Sequence, residues 1–203
     1  MNSAVPIVLA AALAGAAVPA SLYAQTPQPT CQSCPATFIS NDELLQYLAR
    51  AKAEQIIDQQ VRSVNVGKSN VAIGMVHRGR LTKPGEVAEH DHVSEVYHVI
   101  SGAATLVTGP ELVTPQARPA TNTNVRLLNG PGFNAASIRN GVTHQLKAGD
   151  VIVIPAGTGH WFTQIDDHIT YLMIRVDPDK VTPLKDETAS KADLAGKKPQ
   201  PER

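Results

Sequence analysis

Between residues 61 and 176 the chain is a succession of short apolar runs separated by Gly, Pro, Asn and Asp, and no other feature limits its fold as strongly. Successive side chains of a strand point to opposite faces, so a half-buried strand reads with a period of two. Val61, Ser63 and Asn65 alternate with Arg62, Val64 and Val66, and Gly67-Lys68-Ser69-Asn70 makes a tight turn into a second run over 71–78. Further runs follow at 93–101, 103–107, 125–128, 136–139, 142–146, 151–154, 160–164 and 170–176. Many short strands with turn residues between them, and no alternating helices, predict an all-β sandwich or barrel. Gly67-Lys68-Ser69 is no phosphate loop, because it lacks the earlier glycine of that motif and leads into a strand.

One helix is expected before the barrel, over residues 40–60. Ser40-Asn41-Asp42-Glu43 reads as a capping box, in which the serine hydroxyl accepts from the Glu43 backbone and the glutamate reaches back. Leu44, Leu45, Leu48, Ala51 and Ile56 follow at near-helical spacing. The 27 residues 109–135 read as one long loop, a length that often marks a lid or a binding element.

The two ends differ from this middle. Residues 1–24 carry no charged side chain and hold an apolar run too short for a membrane span, followed by Ser-Leu-Tyr-Ala. They read as a secretory signal peptide, with a buried apolar helix as the alternative. Residues 25–39 read as an extended linker containing Cys31 and Cys34, the chain's two cysteines. In an exported chain this pair suits a local disulfide; a two-thiolate metal site is the other reading. Residues 177–203 are rich in Lys, Asp and Pro and are expected to be disordered. With 18 basic and 18 acidic residues the chain has no net charge and no basic stripe, which argues against a nucleic-acid partner. Export places the protein in the periplasm or outside the cell, with no membrane contact once the signal is removed.

The chemistry concentrates in two places. His90-Asp91-His92 and Glu95 lead into the apolar run Val96 to Ile100; on a regular strand His90 and His92 would share a face and Glu95 would oppose it, so Glu95 could join the two histidines only across a turn or bulge. Farther on, Gly149 is followed after five residues by Pro155-Ala156-Gly157, after two more by His160, and after three more by Gln164. These segments resemble the two motifs of the cupin superfamily. The first motif is G, five residues, HxH, three or four residues, E, six residues, G; here Gly85, four residues, His90-Asp91-His92, two residues, Glu95, six residues, Gly102. The second is G, five residues, PxG, two residues, H, three residues, N, and differs here only in ending on Gln164.

The resemblance implies a cupin double-stranded β-helix, a jelly-roll barrel, over 61–176. It implies a metal set of His90, His92, Glu95 and His160 holding one divalent transition metal, Mn or Fe first, with Zn, Cu or Ni as alternatives. Glu95 and Tyr97 are the candidate catalytic residues. Gln164, His144 and His77 are candidates for contact around the ligands, and Arg118, Arg126 and Arg139 for meeting an anionic substrate or simply facing solvent. His98 should face outward or a subunit contact. Such a chain would act on a small organic substrate as an oxidase or dioxygenase. Alternatives are a metal-dependent lyase or isomerase, or a non-catalytic module binding a sugar or other small molecule. Cupins often form homodimers, and the same is expected here.

Overall fold

The computed structural model describes residues 28–196. The proposed signal peptide lies outside the described residues. Residues 28–39 contain no helix or strand, and Cys31 and Cys34 are joined by a disulfide. Helix α1 spans Asn41–Glu54. Its N-cap is Ser40, whose hydroxyl accepts from Glu43 N at 3.1 Å. Glu43 does not complete the box; its carboxylate takes Arg62 instead, at 2.8 and 3.0 Å. The helix stops six residues short of the expected end because Gln55 turns left-handed (φ 56°) and the β-branched pair Ile56-Ile57 feeds a strand.

The fold class is the one the strand pattern indicates: an all-β, double-stranded β-helix with one helix before the barrel. Strands β1 (Asp58–Asn65), β2 (Asn70–Gly79), β3 (Val87–Ala88) and β4 (Ser94–Gly109) come first. The expected long loop contains β5 (Glu111–Val113), β6 (Gln116–Ala117), a single π-helical turn (Val125–Asn129) and β7 (Phe133–Ala135). Then come β8 (Ser137–Arg139), β9 (Val142–Lys147), β10 (Val151–Ile154), β11 (Gly159–Gln164) and β12 (His168–Asp177).

All pairings are antiparallel. One main sheet runs β1-β2-β12-β4-β10, a second runs β9-β4-β11-β3-β7-β6, and β5 pairs with β8 in a separate two-stranded sheet. The two main sheets share β4, whose first half pairs β12 and β10 and whose second half pairs β9 and β11. The strand changes sheets at a bulge near Ile100, followed by Gly102 (φ 79°). A Cβ at Gly102 would collide with the His168 carbonyl, so only glycine serves here. Between the sheets pack Val76, Tyr97, Val99, Leu106, Leu146, Ile154, Phe162, Ile169, Tyr171 and Met173. Tyr97 and Tyr171 lie 4.4 Å apart, centroid to centroid. A second cluster lies on the outer face, where Tyr47 of α1 meets Val61 and Met75.

The expectation of disorder after residue 176 is wrong for residues 177–196. Asp177 accepts from Val181 N and Thr182 N (3.0 and 2.9 Å), which folds the chain back. Lys185 and Ser63 then exchange backbone hydrogen bonds of 3.0 and 2.9 Å along the free edge of β1. Helix α2 (Glu187–Leu194) is capped by Asp186 and rests on α1 and β1. Tyr47 donates to Ser190 O at 3.1 Å, and Arg50 donates to Asp193 at 2.9 Å. The segment is anchored by polar contacts with one apolar residue, Leu194, so apolar content alone could not reveal its order.

Asp193 makes this anchor sensitive to acid. Burial raises its pKa, but the hydrogen bonds from Lys185 and Arg50 outweigh that and hold the carboxyl below its usual range. A carboxylate with a depressed folded pKa contributes stability above the ordinary Asp range and loses it as pH falls through the folded value. We expect wild type to be more stable than Asp193→Asn at pH 7, and the gap in urea midpoint to close in acid. A gap independent of pH would assign the contact no charge component.

Candidate metal centre

Three of the four expected ligands meet inside the barrel. Glu95 enters from β4 in the first sheet, beside Ile154 of β10 and Arg175 of β12. His160 enters from β11 in the second sheet. His90 follows β3 and is held by its backbone, since Gly157 N donates to His90 O at 2.8 Å. His90 is 4% exposed, Glu95 2% and His160 8%, so the cluster is largely closed to water. His90 Nε2 lies 3.4 Å from Glu95 Oε1, and His160 Nε2 lies 3.5 Å from Glu95 Oε2. Donor atoms of all three residues fall within 4.8 Å of one another.

Two donors that each sit about 2.1 Å from one ion are about 3.0 Å apart at octahedral angles and about 3.4 Å apart at tetrahedral angles. By spacing and by atom type, two imidazoles and a carboxylate, the trio fits a divalent transition metal. His160 Nδ1 faces Thr158 O at 3.3 Å, which leaves its Nε2 lone pair for the centre. Burial lowers the His160 pKa to about 4, so the ring is neutral at ordinary pH. Burial pushes Glu95 up, but its contacts with His90, His160 and the Arg175 guanidinium outweigh that and hold the carboxyl well below its usual range.

Further groups lock Glu95 in place. Tyr97 donates to Oε2 at 2.7 Å, and Arg175 Nε donates to Oε1 at 3.3 Å. Arg175 is 1% exposed and also pairs with Asp58. Burial and the nearby Glu95 raise Tyr97 well above the usual phenol value, so it stays protonated and acts as a donor.

His92 is not part of the cluster. Residues 91–92 form a bend and β4 begins only at Ser94, so the alternation assumed for His90 and His92 does not operate there. The intervening turn displaces His92, whose side chain is 41% exposed and whose Nδ1 lies 2.8 Å from Asp179. The spacing of the motif this segment resembles is consistent with that placement. Counted from His90, four residues precede Glu95, within the three or four of the motif; from His92 only two do. The first-histidine place then falls on Ala88, which pairs directly with His160 across β3 and β11.

The surrounding candidates fare unequally. Gln164 bonds Asp166 at 2.8 Å and is exposed, away from the cluster. His77 bonds Thr170 at 2.8 Å between β2 and β12, also away from it. His144 bonds the Thr108 hydroxyl at 2.9 Å, and Thr108 is the strand partner of His160, so this ring is one residue removed from the cluster. His98 is exposed, as expected. Arg118 is the residue the sequence undervalued, since its Nη2 lies 3.0 Å from His90 Nδ1. It is half-buried and not a free surface cation.

A family model described as the AraC-like ligand binding domain matches residues 138–201, less than half of the chain. No curated protein matches it. Among solved structures, a cupin protein from Bacteroides fragilis is 15% identical, with 57% of this chain and 72% of that one covered and a TM-score of 0.34. A cupin family protein with a double-stranded β-helix fold from Methanocaldococcus jannaschii is 13% identical, covering 61% and 84%, with a TM-score of 0.36. A protein with a double-stranded β-helix domain from Klebsiella pneumoniae is 20% identical, covering 64% and 84%, also at 0.36. These likenesses are weak, and the strand pairing described above is what defines the architecture. No helix among the described residues is long and apolar enough to cross a membrane.

Proposed function

We propose that this chain is an exported cupin that holds one divalent transition metal on His90, Glu95 and His160 and acts as an oxidase or dioxygenase on a small organic substrate. The observation that carries the reading is the convergence of two imidazoles and one carboxylate from three separate chain segments. Two histidines and one carboxylate leave open positions on a six-coordinate ion and suit iron above all. Such an ion supplies Lewis acidity and an electron path. The chain's own contribution is orientation and exclusion of water. Tyr97 and Arg175 fix the carboxylate, Thr158 O fixes the His160 ring, and the packed core shuts bulk water out.

Export is supported by residues 1–24 and the Cys31–Cys34 disulfide. A homodimer is supported by Ile100, Val151 and Val153, apolar side chains exposed on the first sheet. A second reading, a module that binds a small molecule without turnover, is favoured by the match to a ligand-binding family model. The deciding experiment is elemental analysis of protein purified without a nickel column, followed by oxygen uptake with panels of small organic acids, phenols and sugars. Iron or manganese near one per chain with substrate-dependent uptake is expected. Tight ligand binding with neither oxygen uptake nor product formation, whatever the metal, would transfer the case to the second reading.

A further inference from the structure

Arg118 lies against the centre in a way a metal ligand should not tolerate. Its Nη1 donates to Phe133 O at 2.9 Å and to Asn134 Oδ1 at 3.1 Å. Its Nη2 donates to Glu89 O and, at 3.0 Å, faces Nδ1 of His90. Arginine has donors only and keeps its proton. His90 Nδ1 must therefore be the acceptor. A neutral imidazole carries one N–H, so that proton sits on Nε2, the nitrogen 3.4 Å from Glu95 Oε1. A metal needs a lone pair at that nitrogen and an N–H at the other. His160 is arranged that way, with Nδ1 facing Thr158 O; His90 is arranged in the opposite tautomer.

We propose that Arg118 is a latch on metal loading: while its guanidinium rests on His90, the ring keeps its proton on Nε2, the nitrogen facing Glu95, and His90 joins the ligand set only when Arg118 withdraws. The inference rests on the trio being a metal centre. The imidazole keeps one proton throughout, moved from Nε2 to Nδ1, so His90 itself releases none on loading. The place for the guanidinium is built into the chain, because a Cβ at Gly132 would collide with both Arg118 Nη2 and Glu89 O. The hold is also incomplete: Arg118 Nε is buried without a hydrogen-bond partner, so the guanidinium gives up one water contact to lie here.

The test uses the full chain stripped of metal, labelled with 15N-histidine, as wild type, Arg118→Met and Arg118→Lys. Long-range 1H–15N spectra report which ring nitrogen is protonated, and a Co²⁺ titration reports affinity. Wild-type His90 should be the Nε2–H form and should shift toward Nδ1–H in Arg118→Met. The Co²⁺ affinity of that variant should rise about tenfold, the scale on which groups behind a ligand act. Arg118→Lys, which keeps the charge and a donor, should return both readouts toward wild type. Loss of charge alone raises affinity but does not move the ring proton, so the spectra separate the two causes. Nδ1–H at His90 in the metal-free wild type overturns the proposal, as does an unaltered ring in Arg118→Met. Should that variant fail to fold, the wild-type spectrum decides alone. If no chain binds Co²⁺ while the ring proton moves as described, the metal reading fails and the hold of Arg118 on His90 stands.

Discussion

Glu95→Ala should lower stability by about 3–5 kcal/mol and abolish metal binding. Arg175 is 1% exposed and is balanced by Glu95 and Asp58 together. Removing one carboxylate leaves a buried guanidinium half compensated, and breaking a buried pair from one side is the costly way to break it. The Tyr97 hydroxyl loses its acceptor in the same step, at a further cost of about 1–3 kcal/mol for a buried unpaired group, partly overlapping the first. Glu95→Gln keeps the volume and one oxygen, so it should fall between wild type and alanine in stability while still failing to bind metal. Urea unfolding and Co²⁺ absorption spectra measure the two effects separately. A stability loss under about 1 kcal/mol for alanine, the size of an ordinary single hydrogen bond, would show that Glu95 is not the hub of this network.

The histidines should divide sharply. His90→Ala and His160→Ala are each expected to weaken Co²⁺ binding about a hundredfold or more, since even groups behind a ligand contribute ten- to a hundredfold. His92→Ala should leave binding unaltered, because its ring points to solvent and to Asp179. Isothermal titration of the three variants at one pH is enough. A His92→Ala loss as large as that of His160→Ala would return His92 to the ligand set and contradict the bend at residues 91–92.

The barrel was legible because its signals are local and redundant. Alternating residues mark the strands, and Gly or Pro marks the turns between them. His160 was legible for the same reason, standing at a fixed spacing behind a Pro-Gly turn. His92 misled because the period-two rule was applied to the bend between β3 and β4, two residues before β4 begins. Motif spacing counted back from Glu95 to His90 carried the better information. The role of Arg118 was not legible. It lies 28 residues from His90 in a segment of mixed composition, and the pairing of β7 with both β6 and β3 brings the two together. The C-terminal segment escaped notice because capping aspartates, a serine and two ion pairs hold it, and none of these raises hydrophobicity.

That segment also settles what happens at the rim of the first sheet. β1 has a strand neighbour on one side only, and a bare row of amides there would be a template for another molecule. Ser63 instead spends its donor and acceptor on Lys185, with α2 resting just beyond. What reads in the sequence as a polar appendix is the barrel's own seal against stacking rim to rim with its copies.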